Sequence, residues 1–101
     1  MTKINKDDTF LLLIIRNDCD KCKLVSDILK KNDMRFVKLN RDTAKDYDEI
    51  MARLKIKNNR DEFPIIVYVK NGEMTANLIN ITKEENIINF LEFHQVDNKK
   101  E

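Results

Sequence analysis

The chain has 101 residues, 42% hydrophobic and 37% charged, which is enough for one domain with a small core and too little for two. Its 19 Lys+Arg against 18 Asp+Glu leave a net charge of +1, without the basic surplus of a dedicated nucleic-acid binder. One Gly and one Pro argue against a turn-rich sandwich or barrel, and two Cys are too few for a disulfide-stapled secreted scaffold or, with one His, for a complete structural zinc site.

Residues 1–8 read as a polar lead-in. Thr9 to Ile15 is an unbroken apolar run, Phe10-Leu11-Leu12-Leu13-Ile14-Ile15, suited to a central strand buried on both faces. It is too short and badly flanked for a signal peptide, and no segment is long enough to span a membrane, so the expected location is the cytoplasm, with no membrane partner. Asn17 and Asp18 are turn or cap residues. From Cys19 to about Asn32, Cys22, Val25, Ile28 and Leu29 recur at helical spacing. Met34 to Asn40 is the second predicted strand. Asp42 or Thr43 is placed to cap a second helix carrying Tyr47, Ile50, Met51 and Leu54.

Lys57 to Glu62 is a charged loop. Phe63 to Lys70 is rich in β-branched and aromatic residues and reads as a third strand. Asn71-Gly72 is a hairpin turn, and Met74 to Ile81 is the return strand. Thr82-Lys83-Glu84-Glu85 fits a capping box for a last helix lined by Ile87, Ile88 and Leu91, with His94 near its end on the surface or edge. Tyr47, Tyr68 and the methionines are expected to pack. The expected fold is α/β, in the order β-α-β-α-β-β-α. It has a four-stranded mixed sheet flanked by helices, with the first two strands parallel and the last two an antiparallel hairpin. A single domain spans 1–101, with its core at about 9–95 and a charged tail fraying over 96–101.

Chemistry concentrates at Cys19-Asp20-Lys21-Cys22, a C-x-x-C element where the first strand gives way to the first helix. Unpaired N–H groups at a helix N-terminus favour negative charge, so a thiol placed there ionises more readily. The i, i+3 spacing sets the second sulfur one turn in, close enough to bridge. Cys19 is then the exposed nucleophile and Cys22 the buried resolving thiol. Asp18 and Asp20 oppose ionisation of Cys19, while Arg16, Lys21 and Lys23 favour it. The same pair can also hold a metal, or a cluster shared between two chains.

These residues resemble the thioredoxin/glutaredoxin superfamily over about 9–95. Cys19-x-x-Cys22, Phe63-Pro64 and the hairpin Val69-Lys70-Asn71-Gly72-Glu73 carry the likeness. The resemblance implies a thioredoxin-like fold, a cis peptide bond before Pro64, and Pro64 lying against the disulfide. It also implies that Phe63 offers its backbone N–H and C=O to an extended substrate. Asp20-Lys21 replaces the Gly-Pro of thioredoxins and the Pro-Tyr usual in glutaredoxins. Asp18 stands where thioredoxins carry Trp, and their buried acid is missing. Glu62-Phe63-Pro64 replaces the glutaredoxin Thr-Val-Pro, and Asn80-Ile81-Thr82 replaces their Gly-Gly. The short N-terminus, and Arg16 where glutaredoxins often carry Lys, are glutaredoxin-like.

The function this implies is a thiol–disulfide oxidoreductase serving electron transport and cell redox homeostasis. Cys19 and Cys22 are the catalytic residues, with Phe63, Pro64, Arg16 and Lys21 binding substrate. Protein disulfides are the expected substrates, with glutathione bound weakly. Glutathione or a thioredoxin-reductase-like flavoenzyme is the electron donor, no cofactor or metal is bound, and the chain acts as a monomer without nucleic acid. The basic stretch Lys55, Lys57 and Arg60 reads as a solvated loop, with a carboxylate of glutathione or an acidic partner as its alternative contact. Two other functions fit the same residues: a thioredoxin-fold adaptor with weak redox activity, and a homodimer holding a metal or cluster through its cysteine pairs.

Overall fold

A computed structural model of the chain describes residues 4–58 and 60–96. Its elements are β1 (Phe10–Ile15), α1 (Asp20–Lys31), β2 (Val37–Asn40), α2 (Tyr47–Leu54), β3 (Ile65–Lys70), β4 (Glu73–Ile79) and α3 (Glu84–Phe93). This is the expected α/β order. The sheet runs β2-β1-β3-β4. β1 pairs in parallel with β2, Leu12 opposite Val37, and antiparallel with β3, Leu12 opposite Val67. β3 and β4 form the expected hairpin, with a bulge between Tyr68 and Val69.

The unbroken apolar run explains the position of β1. Leu11 to Ile14 are at most 2% exposed, because both sheet faces are covered. Leu11, Leu13, Ile66 and Tyr68 pack with Val25, Ile28 and Leu29 of α1 and Ile87, Phe90 and Leu91 of α3. Leu12, Ile14, Ile65 and Val67 pack with Ile50, Met51 and Leu54 of α2, and Cys22 and Phe63 join this second cluster. No helix among the described residues is long and apolar enough to cross a membrane.

Several boundaries differ from the sequence expectations, each for a local reason. β2 starts at Val37, not Met34, because the Met34 N–H closes α1 by bonding to the Leu29 carbonyl at 2.9 Å. Neither Asp42 nor Thr43 caps α2. The Asp42 carboxylate takes the Asn17 N–H and the Arg41 guanidinium, the Thr43 and Ala44 N–H groups turn back to the Asn40 carbonyl, and the helix starts after Asp46. β4 ends at Ile79, where Asn80 turns left-handed at φ 58°.

The capping box at Thr82 does not form. Lys83 is the N-cap, without a side-chain bond. Glu84 instead reaches α1, accepting from Lys31 Nζ at 3.0 Å and Asn32 Nδ2 at 3.2 Å, and these partners hold its carboxyl below the usual range. His94 follows α3 with its ring centroid 4.9 Å from those of Phe90 and Phe93. The core runs slightly past both expected limits. Ile4 packs against the α2-side cluster, and Val96 packs against the other, its N–H on the Leu91 carbonyl at 2.9 Å. The rest of the lead-in, 1–3, and of the tail, 97–101, lies outside the described residues.

The hairpin turn explains the single glycine. Asn71 and Gly72 both have positive φ, 55° and 77°, as a two-residue primed turn requires. The Gly72 N–H donates to the Asp8 carbonyl at 2.8 Å, and a Cβ at Gly72 would lie 2.5 Å from the Asn5 carbonyl oxygen. Gly72→Ala is expected to lower unfolding free energy by about 1–3 kcal/mol, the cost of a side chain in a strained left-handed position, read as a shift in the urea midpoint.

Candidate active site

The site begins where β1 ends. Asn17 is tied to the end of β2: its N–H donates to Asp42 Oδ2 at 2.8 Å, and its side-chain oxygen accepts from Asn40 Nδ2 at 3.1 Å. Asp18 then turns left-handed at φ 53°, which brings Cys19 to the N-cap of α1 in an extended conformation. The Cys22 N–H donates to Cys19 Sγ at 3.1 Å, so the sulfur fills the place a Ser or Asp oxygen would take at a helix start. The two cysteines form a disulfide, with Cα atoms 5.2 Å apart, inside the range of about 4.4–6.8 Å that such bridges need. Cys19 is half-buried and Cys22 is 4% exposed, the order expected of an attacking and a resolving sulfur. On reduction, the same N–H and the first turn of α1 would stabilise a thiolate on Cys19.

The Asn17 contact has a consequence for pH. The Asp42 carboxyl is held below its ordinary range, first by the Asn17 N–H and then by the Arg41 guanidinium. A lowered carboxyl pKa contributes stability that is complete above the unfolded value of about 4 and lost as pH falls below it. Asp42→Asn keeps an oxygen for the Asn17 N–H but removes the titration. Its stability is therefore expected to fall less steeply than the parent's on acidification below about pH 4, measured by urea unfolding across pH.

The opposite wall comes from the loop before β3. The Phe63-Pro64 peptide bond is cis, as the family resemblance implied. Phe63 is 5% exposed, and the Arg41 guanidinium lies over its ring at 5.2 Å. Arg41 also bonds Asp61 Oδ2 at 2.6 Å and Asp42 Oδ1 at 3.1 Å, so one cation ties the end of β2 to this loop. The Asn58 side chain brackets Glu62, accepting from its N–H at 2.9 Å and donating to its carbonyl at 3.0 Å. The Asn80 N–H donates to the Pro64 carbonyl at 2.8 Å, and Lys21 Nζ donates to Asn80 Oδ1 at 3.2 Å.

The two walls enclose a cleft of about 370 Å³, lined by Arg16, Cys19, Lys21, Glu62, Phe63 and Asn80, among others. A second cavity of about 560 Å³ reaches both cysteines from the β2 side, past Ser26 and Lys38. Of the six residues singled out in the sequence, Cys19, Arg16, Lys21 and Phe63 line the cleft. Cys22 is bridged to Cys19 and buried, and Pro64 is buried and does not line the cleft. Lys55, Lys57 and Arg60 do not line it, and Lys55 is the left-handed C-cap of α2. Arg41, Asp61 and Asn80 were not anticipated. The Arg41–Asp61 bond spans 20 residues and the Lys21–Asn80 bond 59, and no local pattern marks such pairs. Among the described residues, no group of three or more His, Cys, Asp or Glu is arranged to hold a metal ion.

No family model matches the sequence, and no curated protein matches it. Solved structures do. The reduced thioredoxin pre-protein of Schistosoma mansoni superposes with a TM-score of 0.62 at 17% identity, over 87% of this chain and 80% of that one. Thioredoxin f2 of Chlamydomonas reinhardtii gives 0.60 at 23% identity, over 99% of both chains. Trxlp from Edwardsiella tarda gives 0.60 at 16%, over 85% of each. Identities this low speak for architecture alone, and the architecture they show for this chain is a thioredoxin-like fold.

Proposed function

We propose that the chain is a thiol–disulfide oxidoreductase acting on protein disulfides. The observation that carries this reading is the position of Cys19. Its sulfur is bridged to Cys22, accepts the Cys22 N–H at the start of α1, and opens onto the cleft walled by Phe63.

In the reduced state, the Cys19 thiolate attacks one sulfur of a substrate disulfide. A Cys19–substrate bond forms as the substrate S–S bond breaks, and the first substrate thiolate leaves and takes a proton from water. Cys22 then gives up its proton and attacks Cys19 Sγ. The mixed disulfide breaks, the second substrate thiol is released, and the Cys19–Cys22 bridge is restored. Two electrons have passed to the substrate. Two thiols reverse these steps, either from a donor dithiol kept reduced by a flavoenzyme or from two glutathione molecules, which leave as glutathione disulfide.

Phe63 serves as the docking edge, where its backbone pairs with an extended substrate strand and holds the scissile disulfide against Cys19. Arg16 and Lys21 add positive charge beside the attacking sulfur and favour its ionised form.

The test is insulin reduction by the dithiothreitol-reduced chain, followed by turbidity as the free chains precipitate. Catalysis above the dithiothreitol background supports the reading. A dithiol that neither reduces insulin nor re-forms its bridge under a glutathione redox buffer overturns it.

A further inference from the structure

We propose that the cleft beside Cys19 selects disulfides flanked by lysine or arginine and disfavours anionic ones such as glutathione disulfide; this rests on the oxidoreductase reading above. The charges at the mouth are not balanced. Four acids line it, Asp18, Asp20, Asp61 and Glu62, against two cations, Arg16 and Lys21. Arg41 neutralises Asp61. Lys21 and Arg16 bond only neutral oxygens, of Asn80 and Asn17, and keep their charge, so three acids outside ion pairs face two such cations. Among the described residues, Asp18, Asp20 and Glu62 form no ion pair. The chain as a whole carries +1, so this acidity belongs to the cleft and not to the general field of the molecule.

Position matters more than the sum. Asp18 directly precedes Cys19, and Glu62 directly precedes Phe63, so an acid stands beside each of the two points a substrate must touch. The Asn58 side chain grips both backbone groups of Glu62 and fixes where its carboxylate starts from. A strand that pairs with Phe63 and offers its sulfur to Cys19 carries its flanking residues past these two carboxylates. Basic flanks gain two solvent-exposed attractions. Acidic flanks, or the four carboxylates of glutathione disulfide, meet a carboxylate on each side, only partly offset by Arg16 and Lys21.

The experiment compares two peptides that carry the same cysteine as a mixed disulfide with 2-thiopyridine, one flanked by lysines and one by glutamates. Attack of the Cys19 thiolate on the peptide sulfur releases pyridine-2-thione, which is read by absorbance, and Cys22 then frees the peptide thiol. With the peptides reacted against the dithiothreitol-reduced chain freed of excess reductant, the lysine peptide is expected to have a second-order rate constant roughly three- to tenfold higher, the scale of two exposed ion pairs. The ratio should shrink toward one in ~1 M NaCl, where the screening length is about 3 Å. It should also fall in Asp18→Asn and Glu62→Gln, and further in the double variant. A change in Cys19 reactivity moves both peptides together and leaves the ratio intact. Equal rates, or a preference for the glutamate peptide, in a chain that reduces both would overturn the charge selection and leave the redox function standing. A chain that reduces neither peptide nor insulin would overturn the redox function itself.

Discussion

Cys19→Ser reduces the turnover of protein disulfides to background, whereas Cys22→Ser stops it after one covalent event. Serine at position 19 leaves no nucleophile at the cleft, since a hydroxyl does not ionise under these conditions and the remaining Cys22 is buried, and the N–H of residue 22 then donates to oxygen instead of sulfur. The second variant behaves differently because the donor to Cys19 Sγ is the backbone of residue 22, not its side chain. That hydrogen bond and the first turn of α1 survive in Cys22→Ser, so Cys19 remains activated. It attacks and forms the mixed disulfide, but nothing resolves it. The expected signature is one equivalent of substrate bound to the protein, seen by intact-mass spectrometry and released by dithiothreitol. If Cys22→Ser turns over like the parent, or Cys19→Ser forms the adduct in its place, the assigned roles of the two sulfurs are wrong.

Leu12→Ala is the largest expected change in stability. Leu12 is 0% exposed and sits in β1, opposite Val37 on one side and Val67 on the other. It belongs to the same cluster as Ile50 and Leu54 of α2, and as Cys22 and Phe63. Truncation removes its transfer free energy and leaves a cavity that strands hydrogen-bonded on both sides cannot close, at a cost of about 2–5 kcal/mol. A domain of this size has about 5–15 kcal/mol in total, so a substantial share of its stability is at stake. Each kcal/mol lowers the melting temperature by about 4–8 °C, and calorimetry should therefore register a drop of tens of degrees at the upper end. A drop of only a few degrees would mean that β1 is not the clamped centre of the sheet.

Element order was legible because each signal is local. Six consecutive apolar residues in β1, the helical spacing from Cys22 to Leu29, and Asn71-Gly72 at a primed turn each act within a few residues, and each element formed where it was expected. The starts of β2, α2 and α3 were less legible. Asp42 and Glu84 have local partners available in the sequence, yet in the fold they satisfy distant groups: Asp42 holds Asn17, and Glu84 holds Lys31 and Asn32, while Met34 is taken up locally by the end of α1. A carboxylate between a local N–H and a remote cation settles where the assembled structure brings the better partners.

The chain's own order of residues determined the α/β architecture and the C-x-x-C pair at the start of α1, while the cis bond before Pro64 was implied by the family resemblance alone. Apolar periodicity dictates which faces are buried, and burial of both faces of β1 leaves few ways to arrange the remaining strands. Tertiary structure alone decided what surrounds the sulfurs. Arg41 stacks on Phe63 while bridging Asp42 and Asp61, Lys21 finds Asn80, and Asn58 clamps Glu62. Arg41 with Asp61 joins two loops far apart in sequence, and Lys21 with Asn80 joins the first turn of α1 to the turn after β4. Surface loops carry no periodic pattern to announce their partners, and they meet only because the sheet beneath them has already set the ends of its strands side by side.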